Sequence, residues 1–63
     1  MDDVNSIQVA GRDEGDKLID YLASLEVWVT PFVVEEEGSY YVKAGIPLWE
    51  LHRALLYIRD MEG

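Results

Sequence analysis

The sequence predicts a small α+β domain with the element order β-α-β-β-α, in which two helices pack on one face of a three-stranded sheet. Three patterns predict it: one segment that alternates polar and apolar residues, two segments with apolar residues at helical spacing, and two β-branched and aromatic runs around a glycine turn. A chain of 63 residues has room for one domain, 1–63, and Met1 to Asn5 are expected to form a flexible N-terminus.

The first strand and the first helix are predicted from the first third of the chain. Ser6 to Ala10 alternates as a strand covered on one face. Gly11 then breaks the pattern, and Asp13 is the expected N-cap of a helix with further acids in its first turn. The helix is predicted to cover the sheet with an apolar stripe made of Leu18, Tyr21, Leu22 and Leu25.

A hairpin and a second helix are predicted from the rest. Val27 to Glu35 and Tyr40 to Ala44 are the two strands, with Gly38-Ser39 between them. Pro31 cannot donate a ladder hydrogen bond, so the sequence predicts either a bulge there or a position on the sheet edge. The second helix runs from Pro47, at the first helical position, to about Met61. Its expected core stripe is Leu48, Leu51, Ala54, Leu55 and Ile58.

Composition excludes several classes of function. The net charge of −8 disfavours direct binding to nucleic acid and to anionic membranes, and favours a basic protein surface as partner. The chain has no cysteine, which excludes disulfides and thiolate zinc sites and leaves association as the means to reinforce a small core. The start, Met1-Asp2-Asp3, lacks the features of a secretory signal, and the longest apolar run is too short to span a bilayer. A cytoplasmic location is expected.

Residues for catalysis are few, and the sequence predicts that the protein is not an enzyme. His52 is the only imidazole and is interpreted as a surface or interface histidine, with a metal-ligand role beside Glu50 or a pH-sensitive contact as alternatives. Gly11 to Gly15 stands where a phosphate loop would, but its carboxylates would repel phosphate. A divalent cation is an alternative there, and helix capping is preferred, so no metal and no cofactor are predicted.

The placement of the acids is more informative than their number. If the first two strands are parallel through a right-handed crossover, the start of the first helix, the hairpin turn and the end of the second helix share one end of the domain. We call this end the acidic pole. Arg12 and Arg59 partly neutralise it, and Asp60 and Glu62 lie near it. Its predicted partner-binding residues are Asp13, Glu14, Asp16, Glu35, Glu36 and Glu37.

Surplus apolar surface predicts self-association, as a homodimer or a larger assembly. Neither a thin core nor one covered sheet face uses all the large apolar side chains, and exposed aromatic residues often mark interfaces. The candidates are Trp28, Phe32, Tyr41, Trp49, Leu56 and Tyr57. Capping of the core by these residues is the alternative.

The leading functional hypothesis is a small interaction module that self-associates and docks a basic partner, as an inhibitor or adaptor of a nucleic-acid-handling protein. One alternative is a small-ligand regulatory module, with a pocket at a dimer interface lined by Trp28, Phe32, Tyr41 and Trp49. Another is an acidic domain adapted to high salt or to solubility.

Overall fold

The computed structural model describes residues 4–62 and the side chains of residues 4–61, and it confirms the predicted fold class and element order. β1 begins at Asn5, inside the segment expected to be a flexible N-terminus, and the Asn5 side chain donates a hydrogen bond of 2.8 Å to the carbonyl of Ile46. Residues 1–3 of that segment lie outside the described residues. The elements are β1 (Asn5–Val9), α1 (Arg12–Leu22), β2 (Val29–Glu36), β3 (Ser39–Gly45) and α2 (Leu48–Glu62).

The sheet has the strand order β1-β3-β2, and both outer strands run antiparallel to β3. β1 and β2 therefore run in the same direction, as the prediction of the acidic pole required. They are not neighbours, because β3 lies between them. This arrangement makes β2 an edge strand, which is one of the two settings predicted for Pro31.

Both helices pack on one face of the sheet and enclose an apolar core. Among the described residues no polar or charged side chain is buried, so burial of apolar surface is the main source of stability. Leu48 was predicted in the core but is 45% exposed, because it lies in the first turn of α2 at the margin of the buried stripe. The core consists of Ile7, Val9, Leu18, Leu22, Val42, Ala44, Ile46, Leu51, Ala54, Leu55 and Ile58.

α1 begins differently from the prediction. Gly11, not Asp13, is the N-cap, and it makes no side-chain capping bond. The reason lies in Glu14, whose carboxylate accepts a 2.7 Å hydrogen bond from the backbone N–H of Ala10 and so satisfies a donor before the first turn. Asp13 lies inside the first turn, where a carboxylate interacts favourably with the helix dipole.

α2 begins one residue after the predicted start. The carbonyl of Pro47 accepts hydrogen bonds of 3.0 Å from the N–H groups of Glu50 and Leu51, so Pro47 stands at the N-cap position rather than in the first turn. Neither helix in residues 4–62 has the length and apolarity that a membrane crossing needs.

The bulge that Pro31 predicted is present. Val29 pairs with Gly45 and Phe32 pairs with Lys43, so β2 has one more residue than β3 over this stretch. The extra residue shifts the alternation of side chains. By this register Val29 lies on the face of Phe32, whereas simple alternation placed it on the opposite face with Val33.

The turn between β2 and β3 is centred one residue earlier than predicted. Glu37 and Gly38 have φ angles of 52° and 81°, which identifies a two-residue turn of type I′. Such a turn matches the twist of the flanking strands and fixes the pairing of Glu36 with Ser39. The hairpin therefore ends in a tight, defined tip that presents carboxylates.

Candidate functional site

The register of the sheet places two parts of the acidic pole, the end of β1 and the hairpin tip, close together. Val9, Tyr40 and Glu35 form one row across the three strands, so the end of β1 and the hairpin tip lie at the same end of the domain. The guanidinium carbon of Arg12 lies 5.9 Å from the centre of the Tyr40 ring, a cation–π distance that brings the start of α1 to the base of the hairpin.

An ion pair adds the last turns of α2 to this end. Arg59 donates from Nε to Glu14 Oε2 and from Nη2 to Glu14 Oε1, both at 2.9 Å. The hydrogen bond from Arg59 is the main reason that the pKa of Glu14 is lowered, and the Ala10 N–H and the positive charge of Lys17 act in the same direction. The structure therefore brings together all three chain segments predicted to meet here.

The ion pair divides the predicted partner-binding residues into two groups. Glu14 belongs to the acidic pole by position, but its carboxylate is occupied and its side chain is only 17% exposed. The sequence interpretation missed the influence of Lys17, although its position three residues after Glu14 on a helix was a usable signal. The remaining predicted acids are all exposed: Asp13, Asp16, Glu35, Glu36 and Glu37.

The carboxylates of the hairpin surround its tip. Glu35 pairs with Tyr40 and lies on the helix-covered side of the sheet, whereas Glu36 pairs with Ser39 on the open side. Glu37 stands at the tip itself. Asp60 of α2 is exposed near this end, and the side chain of residue 62 lies outside the described residues. Negative charge therefore faces several directions from one end of the molecule.

The turn between β1 and α1 does not offer a set of metal ligands. Within the part of the chain that the structure describes, no group of three or more His, Asp or Glu residues is placed to hold a metal ion. The hollow at this turn is lined by Arg12 and Lys17 as well as by Asp13 and Glu14, so its charge is mixed.

The open face of the sheet is apolar only toward β2. In the order β2, β3, β1, one row of this face is Phe32, Lys43 and Ser6, and the next is Val34, Tyr41 and Gln8. The β1 residues in both rows are polar. Phe32 is 43% exposed on this face. Trp28 lies directly before β2, and its backbone N–H donates a 2.9 Å hydrogen bond to the carbonyl of Gly45.

The remaining predicted self-association residues lie on α2, away from the sheet. Trp49 and Leu56 are 64% and 65% exposed. The rings of Tyr21 and Tyr57 lie 4.9 Å apart and tilted by 31°, and with Trp49 and Arg53 they line a groove of about 360 Å³ between the helices. The six predicted residues are thus divided between two surfaces on different sides of the domain.

His52 is exposed on α2. Three parts of the described surface are distinguished by their charge or exposed apolar side chains: the acidic pole, the strip along β2 and the outer side of α2. Comparison with protein-family models, with curated proteins and with solved structures finds no match.

Proposed function

We propose that this domain is a protein-interaction module whose acidic pole binds a basic surface on a partner protein. One observation carries the proposal. The exposed carboxylates of the hairpin tip are consecutive in the chain and outnumber the basic side chains near them, of which Arg59 is paired with Glu14 and Arg12 lies over the Tyr40 ring. The local negative charge is therefore left for an outside partner.

Electrostatics of this kind acts mainly on recognition and on the rate of encounter. A charged end on a domain with a net charge of −8 steers a partner of opposite sign before contact, and the effect weakens as salt screens it. Rim charges of this type change the association rate and its salt dependence more than the final affinity.

The conformation of Glu37 supports the same proposal. A residue with a side chain at φ 52° is strained relative to glycine, and asparagine is the residue that tolerates this position best. The chain nevertheless places a carboxylate at the tip. Local strain at an exposed position is a reason to look for a function there.

The chemistry of the pole defines the partner class. A surface rich in Lys and Arg complements it, and surfaces that bind the phosphates of nucleic acids have this character. We therefore propose a specific role as an inhibitor or adaptor of a nucleic-acid-handling protein.

Charge reversal with a matched control tests the proposal. The test variant carries Glu35→Lys, Glu36→Lys and Glu37→Lys. The control carries Asp20→Lys, Glu26→Lys and Glu50→Lys, which change the net charge equally at the opposite end of the domain. Each protein and the wild type are used for affinity capture from the native host at low and high salt. We expect partners that bind the wild type and the control in low salt, dissociate in high salt, and fail to bind the hairpin variant.

Two results would contradict the proposal. One is a hairpin variant that keeps every partner with unchanged salt dependence. The other is folding that itself requires molar salt, because the acidity would then be explained as adaptation to the solvent.

A further inference from the structure

The outer side of α2 carries a defined stripe of side chains. At 100° per residue, its members fall within about 60° of one another, on the side of the helix opposite the buried residues. They follow one another at intervals of four, three and four residues, which is the spacing of the contact positions in paired helices. The stripe consists of Trp49, Arg53, Leu56 and Asp60, and all four are exposed.

The two charges of this stripe are opposite in sign and flank its centre. Arg53 precedes Leu56 by three residues and Asp60 follows it by four. Neither Arg53 nor Asp60 makes an ion pair with any of the side chains described, those of residues 4–61. Such a surface has an apolar residue at its centre, a positive charge on one side and a negative charge on the other. It is complementary to a second copy of itself that is rotated by 180° about an axis through the centre.

We infer that a second copy of this chain docks on this stripe through a two-fold axis, with the two α2 helices antiparallel. The axis passes near Leu56, so that Leu56 and the edge of Tyr57 meet their counterparts, and each Arg53 faces Asp60 of the second copy. At this register Trp49 lies level with the C-terminal end of the partner's α2, so Leu56 and Tyr57 supply the apolar contact at the axis. This interface is separate from the proposed binding of a basic partner, and neither depends on the other.

The charge distribution of the whole domain selects the antiparallel orientation. The C-terminal end of α2 lies at the acidic pole, as the ion pair of Arg59 with Glu14 shows. Parallel helices would bring two acidic poles side by side, and every stripe charge would meet its own kind. Antiparallel helices separate the two poles and place each one beside the less acidic end of the partner, where Arg53 partly balances Glu50.

The open face of the sheet is a less suitable dimer interface than the α2 stripe. Its apolar and aromatic side chains lie on β2 and at Tyr41 of β3, and the half formed by β1 presents Ser6 and Gln8. The α2 stripe instead carries two of the most exposed large apolar side chains in the described chain, Trp49 and Leu56, in line. Exposed aromatic and aliphatic residues in line on a helix are the usual anchors of helix-to-helix contacts.

A pair of matched variants locates the interface. Leu56→Glu and Phe32→Glu each replace an exposed apolar residue by the same acid, one on α2 and one on the open sheet face. Sedimentation equilibrium between roughly 1 and 200 µM gives the dimer dissociation constant. We expect Leu56→Glu to raise it at least about tenfold and Phe32→Glu to change it by less than about threefold. Circular dichroism spectra verify that both variants keep the fold.

A charge exchange tests the orientation. Arg53→Asp and Asp60→Arg each create like-charge contacts in an antiparallel dimer, and the two-fold axis doubles each contact, so each single variant should weaken dimerisation roughly tenfold or more. The double variant restores opposite charges and should return to within about threefold of the wild type. In a parallel dimer each stripe charge meets its own copy in every variant, and single changes would have little effect.

Three outcomes would overturn the inference. They are a wild-type protein that stays monomeric over the whole concentration range, a dimer lost in Phe32→Glu but kept in Leu56→Glu, and a double variant as weak as the sum of the single ones. None of these involves the hairpin carboxylates, so failure here is distinguishable from failure of the acidic-pole proposal.

Discussion

Glu14 and Arg59 lie 45 residues apart in the sequence and are joined by two hydrogen bonds of 2.9 Å between the carboxylate and the guanidinium. This bidentate pair links the first turn of α1 to the last turns of α2 across the top of the core. Bidentate geometry is the strongest form of such a pair, because it fixes orientation as well as distance. The same carboxylate also accepts the N–H of Ala10, so one side chain connects three chain segments.

We predict that the contribution of Glu14 to stability depends on pH. Its pKa is lowered in the folded state, mainly by the hydrogen bond from Arg59, so the contribution is complete above the ordinary pKa of 4.5 and is lost as the pH falls through the lower folded value. Glu14→Gln should lower Tm at pH 7 by roughly 2–5 °C, a modest change because solvent screens the pair. Thermal unfolding from pH 7 to pH 3 measures the difference.

The control for this prediction is Glu36→Gln, which removes the same charge from an exposed carboxylate at the same end of the domain. The difference in Tm between wild type and Glu14→Gln should shrink below pH 4.5, and Glu36→Gln shows how much of the effect at pH 7 comes from the loss of one negative charge. A Glu14→Gln variant as stable as the wild type at pH 7 would show that the ion pair does not stabilise the fold.

We predict that Glu37→Asn stabilises the protein. Asparagine tolerates the positive φ of the first central turn residue, and Asn-Gly is the preferred pair in type I′ turns. The gain should be about 0.5–1 kcal/mol in the free energy of unfolding, measured by urea denaturation. Glu36→Asn makes the same chemical change at a strand residue and should not stabilise. If the two variants changed stability equally, the effect would come from charge rather than from the turn.

Much of the fold could be predicted because local signals and the global arrangement agree. Alternation defined β1, and helical spacing defined most of the core face of each helix, although Leu25 lies beyond the end of α1 and Leu48 is exposed. Pro31 indicated a bulge or an edge position, and both are present. The gathering of acids at one end followed from the direction of β1 and β2 alone. These features depend on periodicity and connectivity, which a sequence carries directly.

Other features depend on tertiary contacts that no local pattern encodes. Asp13 has the right chemistry for an N-cap, yet the chain enters α1 at Gly11 because Glu14 supplies an acceptor to Ala10 and a partner to Arg59. Simple alternation assigns Val29 to the face of Val33, which is wrong, because one inserted residue reverses the alternation before the bulge. The way the helices lie on the sheet also decides which apolar residues remain exposed, and no local pattern encodes this.

The final prediction concerns the close approach of β3 to the start of β2. A Cβ atom on Gly45 would overlap the backbone nitrogen of Val29 and would lie 2.8 Å from both the Val29 Cβ and the Trp28 Cδ1. Backbone atoms cannot rotate away as a flexible side chain can, so Gly45→Ala must separate the strands where Trp28 donates to the Gly45 carbonyl. We expect a loss of about 2–3 kcal/mol in the free energy of unfolding, measured by urea denaturation.

Gly11→Ala is the matched control for Gly45→Ala, since it adds the same methyl group where no atom lies within 4 Å. It should cost less than about 1 kcal/mol, because the only expected penalty is that alanine is a poorer N-cap than glycine. Equal losses in the two variants would mean that glycine content rather than close packing sets the cost. A Gly45→Ala variant with wild-type stability would show that β2 and β3 are not held this closely, and the bulge at Pro31 would then need a different register.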